Sequence, residues 1–167
     1  MGYPPLVSKP PLPVIKAFLV CDKVIQDAQS GKKSLIGLFH EIKGSTFPTV
    51  HPELWIYANL TDARGHYVFE IRFVNLTDDG RIVGTSQPSP ITIPGPLQTT
   101  ELSAQLRHVA LPGPGTYEFQ LIANGELAAT KAIRVGRVPS RAPPAPPAPP
   151  GTEAIGDEAP EELEDEE

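Results

Sequence analysis

The chain has 167 residues, 21 prolines and a single cysteine, Cys21, so no disulfide can form within it and a reducing compartment is expected. Its net charge of −6 is unevenly divided: residues 1–136 carry 12 basic and 11 acidic side chains, whereas residues 137–167 carry 2 and 9. The nearly neutral first part lacks the basic stripe that neutralises phosphates, which argues against a nucleic-acid partner.

Five prolines crowd residues 1–13, which predicts an extended lead-in because proline is disfavoured in helix interiors and central strands. This stretch also lacks the charged start, apolar run and small-residue cleavage site of a secretory signal. No segment of the sequence approaches the roughly 20 apolar residues of a membrane-spanning helix. We therefore expect no membrane association and a cytoplasmic location.

From residue 16 onward, short runs rich in Val, Ile, Phe and Tyr alternate with clusters of Gly, Pro, Asn and Asp. The 3.6-residue period of an amphipathic helix is almost absent, so the pattern predicts strands. A short edge piece is expected within 88–97. The predicted strands are 16–26, 33–43, 52–61, 66–75, 80–86, 100–110, 116–123 and 127–135.

The strands at 52–61 and 66–75 are predicted to form the centre of the core. Each alternates apolar and polar side chains, as a pleated strand with one buried face does. The residues predicted to point inward are Leu54, Ile56, Ala58, Leu60, Tyr67, Phe69, Ile71 and Phe73.

Two similar turn sequences, Asn59–Gly65 and Asn75–Arg81, predict two successive hairpins, and Asn124-Gly125 predicts a third. A two-residue loop at the third would create two cross-strand pairs, Ile122 with Leu127 and Glu118 with Lys131. That register leaves Ile133 and Val135 on the face away from Phe119. Either both faces are partly covered or a bulge intervenes.

Sheets built from such strands must have their apolar faces covered, which predicts an all-β fold, a two-sheet antiparallel sandwich of about eight strands. A closed barrel is the alternative. The sandwich is expected to occupy residues 14–136, between the lead-in 1–13 and a disordered Pro/Ala-rich linker with an acidic tail at 137–167.

Four short stretches of the chain resemble a known family: Phe18–Asp22 (FLVCD), Gly31–Phe39 (GKKSLIGLF), Phe47–Pro52 (FPTVHP) and Pro114–Tyr117 (PGTY). Over residues 16–136 the chain is similar to a family of short bacterial β-sandwich proteins whose function is not established. The resemblance implies a cytoplasmic, immunoglobulin-like fold and supplies no reaction and no ligand. The tail is not part of it.

Cys21 is the one candidate thiol nucleophile, and His40 lies on a neighbouring predicted strand, so a Cys-His arrangement has to be considered. Cys21 shares a strand face with Ala17, Leu19 and Ile25, which predicts a small buried hydrophobe instead. Asp22 follows on the opposite, apolar face.

A carboxylate on that face needs a partner. We expect Asp22 to be buried and bonded to a backbone N–H, to Lys33 or to Arg72, and Asp22→Ala to lower the melting temperature.

The histidines, His40, His51, His66 and His108, lack the short spacings of a zinc site. A metal site assembled from separate strands is the alternative. His108 alternates with apolar residues and is predicted to lie in the core, whereas His51 begins a strand.

Asp62, Asp78 and Asp79 are predicted to form turns rather than to bind calcium. The stretch Gly31–Ser34 is only a fragment of a phosphate-binding loop. No catalytic, cofactor-binding or metal-binding residue is therefore predicted, and no cofactor.

The tail divides into two segments. Residues 139–150 favour a polyproline II spacer about 37 Å long. Residues 161–167 form an acidic tip, which either binds a basic surface of a partner or only aids solubility.

These observations predict a non-enzymatic binding or scaffolding module. A protein partner would be held by a strand edge, by loops or by the acidic tail, and the irregular stretch 88–96 would flank the binding surface. The alternative is a metal-dependent or other enzyme with a site at the loop ends, using His40, His51 or Asp22. The sequence leaves the oligomeric state open.

Overall fold

The computed structural model describes residues 9–139. Within this range the chain forms ten β-strands and no helix. The strands are β1 (Val14–Gln26), β2 (Lys33–Leu38), β3 (Glu41–Gly44), β4 (Thr49–Thr61), β5 (Gly65–Asn75), β6 (Arg81–Thr85), β7 (Ser89–Ile93), β8 (Thr100–Leu111), β9 (Gly115–Ala123) and β10 (Glu126–Arg137).

The strands form two sheets that pack face to face. The first sheet has the order β2-β1-β4-β8, and the second has the order β3-β10-β9-β5-β6, with β7 also paired to β5. Neighbouring strands are antiparallel, except that β3 and β10 are parallel. The predicted all-β, two-sheet sandwich is confirmed.

The two strands predicted to form the centre of the core lie there as β4 and β5, facing each other from opposite sheets. All of their predicted inward residues are buried, from Leu54 to Leu60 and from Tyr67 to Phe73. The rings of Phe119 and Tyr117 stack on Phe73, with centroids 4.5 and 5.1 Å away. Because burying one such ring contributes about 1.5–3 kcal/mol, this cluster is a large part of the hydrophobic stabilisation.

The prediction of a single strand at 33–43 is wrong, since the structure divides it into β2 and β3, which belong to different sheets. The amide of Phe39 donates to the Val20 carbonyl in the first sheet, and the His40 carbonyl accepts from the Arg134 amide in the second. The two-residue connection thus carries the chain between sheets. Local alternation continues through it, so the pattern could not show the crossing.

The prediction of a hairpin at Asn59–Gly65 is wrong as well, because β4 and β5 lie in opposite sheets. Their connection closes one end of the sandwich, where Ala63 is fully buried and the Asp62 amide donates to the Pro96 carbonyl. The similar turn Asn75–Arg81 does join a paired hairpin, β5 and β6, as predicted. The aromatic face of β5 is covered by β4 across the core, which side-by-side pairing would not achieve.

The hairpin between β9 and β10 is confirmed, including the apolar pair next to its loop. A bulge near the start of β10 then shifts the register, so that Lys131 lies opposite Phe119 and the predicted pair with Glu118 is wrong. The shift turns Ile133 and Val135 to the core, where each is 2% exposed. The bulge is therefore the correct alternative, because it buries two large apolar side chains.

Residues 9–13 lie against the second sheet before β1 begins. The Tyr67 hydroxyl donates to the Pro11 carbonyl at 2.8 Å, and the Lys9 ammonium lies 2.6 Å from the Glu126 carboxylate. The end of the lead-in is thereby held to the sandwich. The rest of the lead-in, residues 1–8, lies outside the described residues.

At the other end, β10 continues to Arg137, and the amide of Val138 donates to the Gly44 carbonyl. Most of the predicted spacer and the whole acidic tip lie outside the described residues, which end at 139. Within residues 9–139 there is no helix long and apolar enough to cross a membrane.

Candidate functional site

The thiol of Cys21 lies in a small apolar cluster on the outer face of the first sheet, where Cys21 is 0% exposed. Val24 and Tyr57 are buried beside it. Burial raises the pKa of the Cys21 thiol, while its hydrogen bond to the Lys23 carbonyl acts in the opposite direction. His40 is exposed in the connection between β2 and β3. The predicted role of Cys21 as a buried hydrophobe is confirmed.

Asp22 is exposed and forms no ion pair within residues 9–139, so the prediction of a buried, paired carboxylate is wrong. It lies opposite Gly37 of β2, whose φ of 67° is left-handed. The buried face of β1 changes at this point. Val20 belongs to the main core, whereas Val24 belongs to the outer cluster, so the alternation that predicted an inward Asp22 is interrupted.

A hollow of about 220 Å³ brings Asp22, Glu41 and His51 to one place. The His51 Nε2 atom is buried there without a hydrogen-bond partner, and the His51 ring centroid lies 6.1 Å from that of Phe39. In the described part of the chain, no three His, Cys, Asp or Glu side chains are arranged to hold a metal ion. The hollow thus offers one imidazole and two carboxylates without the geometry of a metal centre.

The remaining histidines lie apart from this hollow. The His66 Nδ1 atom lies 2.9 Å from the Thr92 hydroxyl on β7. His108 is exposed with a φ of 54°, so its predicted place in the core is wrong. The left-handed backbone at His108 turns β8, and Val109 and Leu111 enter the core beyond it.

The three aspartates considered as calcium ligands lie in turns, as predicted. Asp62 and Asp79 have φ angles of 55° and 47°, and the Asp78 carbonyl accepts from the Arg81 amide. Asp is among the few residues other than glycine that adopt such backbone angles readily. Turn geometry therefore explains these residues.

A groove of about 730 Å³ opens between the two sheets, on the side where β8 ends the first sheet and β6 and β7 end the second. We call it the edge groove. Its size is that of a typical ligand pocket, about 300–1,000 Å³. Its floor is apolar and consists of core side chains, among them Ile56, Phe69, Ile71, Phe73 and Leu121.

One wall of the edge groove is β8, through the inward side chains of Leu102, Ala104 and Leu106. These side chains pack against the main core but are only partly buried. The fold thus leaves these apolar side chains partly exposed to solvent.

The other wall is an interrupted edge strand. Between β6 and β7, the Ser86 amide donates to the Ile71 carbonyl at 2.8 Å, and the Ser86 hydroxyl accepts from the Ile71 amide at 2.9 Å. Pro88 and Pro90 follow, and proline has no N–H to offer a further strand. This edge is protected against pairing. The predicted flank of the binding surface, 88–96, contributes to this wall through Ser89 and Ile91.

The edge of β8 has no such protection. The strand has 12 residues, contains no proline and keeps an unbroken register against β4. Among the described residues, β4 is its one strand neighbour. In an edge strand about half of the backbone N–H and C=O groups point away from the existing neighbour, so β8 offers a row of them to another strand.

The two ends of β8 differ in charge. Glu101 accepts a hydrogen bond from the Tyr57 hydroxyl and lies 3.7 Å from the Lys33 ammonium. Burial raises the pKa of Tyr57, and the hydrogen bond to Glu101 raises it further. Arg107 is exposed and forms no ion pair within residues 9–139.

The edge groove could not be predicted from the sequence, because it requires β8 to end one sheet on the same side where β6 and β7 end the other. Strand order of this kind is set by contacts between distant residues. One signal was present: β8 alternates Leu102, Ala104 and Leu106, without the aromatic side chains that fill the inward faces of β5 and β9.

A family model matches residues 16–136, and it describes a family of unknown function, DUF6941. The chain belongs to this family. The predicted resemblance to a family of unknown function is confirmed. No curated protein sequence matches the chain significantly.

The sandwich shares a side-chain hydrogen bond with immunoglobulin-like folds, and one such protein is similar to this chain. An immunoglobulin-like protein from Pseudomonas aeruginosa is similar to this chain with a TM-score of 0.36 and 12% identity, over 74% of this chain and 95% of that one. The Tyr117 hydroxyl donates to the carbonyl of Gly113 at 2.8 Å, four residues upstream. This is the tyrosine corner that occurs in immunoglobulin-like sandwiches.

Two enzymes contain a region of similar fold. A β-glucosidase from Listeria innocua, in complex with glucose, has a TM-score of 0.44 and 12% identity, over 72% of this chain and 16% of that one. The alkylpurine DNA glycosylase AlkC from Pseudomonas fluorescens, bound to DNA containing an abasic site analog, has a TM-score of 0.40 and 10% identity, over 57% and 27%. The chain spans a minor part of either enzyme, and the similarity is one of fold alone.

Proposed function

We propose that this domain is a non-enzymatic binding module that receives an extended segment of a protein along the outer edge of β8. The observation that carries the proposal is that the proline-free edge of β8, which is regular from Thr100 to Arg107, lies directly beside the edge groove. A segment that pairs with β8 as a further strand would satisfy the outward backbone groups. Its alternate side chains would point into the groove.

The groove selects the chemistry of such a segment. Its floor and the inward side chains of β8 are apolar, whereas the opposite wall carries Ser86, Gln87 and Ser89 at the rim. Apolar side chains at every second position would be buried against the floor, and polar side chains between them would stay in water. We therefore expect an extended partner sequence that alternates apolar and polar residues.

Two observations support a binding role over a catalytic one. The thiol of Cys21 is buried in an apolar cluster, where its raised pKa lowers the thiolate fraction. The hollow at His51 combines groups that, in the described range, are not arranged to hold a metal. A protein partner rather than nucleic acid is proposed because residues 1–136 are nearly neutral.

Selection from a displayed library of random peptides tests this proposal. The full chain is the target, and the selected peptides are then measured against two variants. Ala104→Arg places a long charged side chain at the mouth of the groove, whereas Ile82→Arg places the same side chain on β6, at an exposed position outside it.

We expect selected peptides to alternate apolar and polar residues, to lose binding to Ala104→Arg by about a hundredfold and to keep binding to Ile82→Arg. Peptides that bind both variants as well as the original chain would locate binding elsewhere. Failure of the library to yield a specific peptide would also count against the proposal.

A further inference from the structure

The outer edge of β8 is complementary to itself. Counting outward from Ala104, the residues two positions away on either side are Leu102 and Leu106, and those three positions away are Glu101 and Arg107. We infer that the segment received by β8 is the β8 strand of a second copy of this chain, running antiparallel about a two-fold axis at Ala104. This inference rests on the proposed function, because it names the partner of that same edge.

The symmetry of a strand dimer makes this complementarity meaningful. When two copies of one edge strand pair antiparallel about a two-fold axis, residues at equal distances from the axis residue lie opposite each other. An axis at Ala104 places Leu102 of each copy opposite Leu106 of the other on the groove side. It also places Glu101 opposite Arg107 on the outer side, twice, and opposite charges that face each other across two strands attract.

The neighbouring axes do not give these pairs. An axis at Ser103 places Glu101 opposite Gln105, and an axis at Gln105 places Ser103 opposite Arg107. With either axis, neither Glu101 nor Arg107 faces an opposite charge on the second copy. The register about Ala104 is therefore the one that charge and hydrophobicity both favour.

The contacts within one copy are consistent with this register. Glu101 already lies near Lys33, whereas Arg107 lies opposite Glu53 of β4 without forming an ion pair within residues 9–139. The Glu101 side chain of the second copy would supply one. On the groove side, the partly buried leucines of β8 would cover each other.

His108 sets the end of the paired stretch. Its left-handed φ of 54° turns the backbone and interrupts a regular edge. About the Ala104 axis, seven residues, 101–107, would face each other before this turn is reached.

Disulfide trapping tests the register. At the axis, Ala104 faces its own copy with a Cα separation of about 4.5–5.5 Å, which lies within the range of about 4.4–6.8 Å for a disulfide. Ala104→Cys in the full chain should therefore form a covalent dimer on mild oxidation. Gln105→Cys is the matched control, because residue 105 of the second copy lies diagonally across the strand pair, about 7–8 Å away. Cys21 is fully buried and should stay unreacted.

The expected result is rapid dimer formation by Ala104→Cys and at least about tenfold slower formation by Gln105→Cys. Equal rates for the two variants, or no covalent dimer from Ala104→Cys, would overturn the inference.

Charge reversal provides a second test that does not depend on oxidation. Arg107→Glu and Glu101→Arg each bring two like charges together at both ends of the paired stretch, and each should weaken self-association by about tenfold or more in sedimentation experiments. An equal mixture of the two variants should associate again, because every facing pair then combines opposite charges. A mixture that associates no better than its components would refute the pairing.

The outcomes separate this inference from the proposed function. If Ala104→Cys forms no dimer while selected peptides still depend on the groove, the edge binds protein segments but not a second copy. If selected peptides also ignore Ala104→Arg, the proposed function fails as well.

Discussion

The two lateral edges of the sandwich are built differently. At one, which we call the closed edge, β2 and β3 end the two sheets, and the two residues between them bond to Val20 in the first sheet and to Arg134 in the second. At the other, the open edge, β8 ends the first sheet, and β6 and β7 end the second. Residues 94–99 connect β7 to β8, and the edge groove lies between the two sheets. The short connection at the closed edge bonds to both sheets, whereas the connection at the open edge is longer and the edge groove lies beside it.

The largest effect on stability is expected from replacing one isoleucine by alanine at each edge. Ile42, at the closed edge, is 7% exposed in the core, whereas Ile91, at the open edge, is only partly buried. Ile42→Ala should lower the free energy of unfolding by about 2–4 kcal/mol, and Ile91→Ala by less than about 1.5 kcal/mol. Urea denaturation measures both. Equal losses would show that the open edge is as tightly packed as the closed one.

A smaller effect is expected from adding a methyl group to a glycine at each edge. A Cβ on Gly37 would clash with the Asp22 carboxylate, and the φ of 67° disfavours any L side chain. Gly37→Ala should cost about 1–3 kcal/mol. Gly84→Ala is the control on β6, since a Cβ there meets nothing within 4 Å.

Combining Gly37→Ala with Asp22→Ala separates the clash with the Asp22 carboxylate from the backbone strain at residue 37. Because Asp22 forms no ion pair within residues 9–139, Asp22→Ala alone should leave the melting temperature nearly unchanged, contrary to the expectation from sequence. In that background Gly37→Ala should cost less, since the conflict with the carboxylate is gone, whereas the backbone strain and the close contact with the Cβ of residue 22 at 3.1 Å remain. An undiminished cost would mean that the carboxylate contributes nothing to it.

Thiol labelling compares how readily each edge admits a reagent. Cys21 pairs with Leu38 of β2 and is 0% exposed, so a reagent reaches it only when the sheet opens near the closed edge. Its raised pKa slows the reaction further, because fewer thiolates are present at a given pH. Cys21 should react about a hundredfold more slowly than a cysteine introduced by Gly84→Cys, measured at pH 8. Similar rates would mean that Cys21 is accessible.

The smallest effect expected is a change in stability at high pH. Tyr57 has a raised pKa in the folded chain, so the folded state holds its proton over a pH range in which the unfolded chain, with a pKa of about 10, has lost it. The resulting stabilisation is complete below pH 10 and is lost as the pH rises through the folded-state pKa. Tyr57→Phe should show a shallower alkaline decline in a series of denaturation curves. If Tyr57→Phe and the original chain lose stability equally at high pH, Tyr57 does not contribute to the decline.

Much of the local structure was predictable, because it depends on neighbouring residues. The inward faces of β4 and β5, the turn at Asn124-Gly125 and the burial of Cys21 all follow from alternation and turn chemistry. Asp22 and His108 were predicted wrongly for one shared reason. Each lies where a strand changes its buried face, beside a left-handed residue or at one, and alternation cannot show such a change.

The sequence by itself determined which segments are strands, which of their faces are apolar and where most turns lie, since these properties depend on residues a few positions apart. Only the tertiary structure decided that β4 and β5 face each other across the core, that 33–43 serves two sheets and that β8 is an open edge beside a groove. Those outcomes depend on which distant apolar faces cover one another, and a local pattern of hydrophobicity is compatible with several such arrangements.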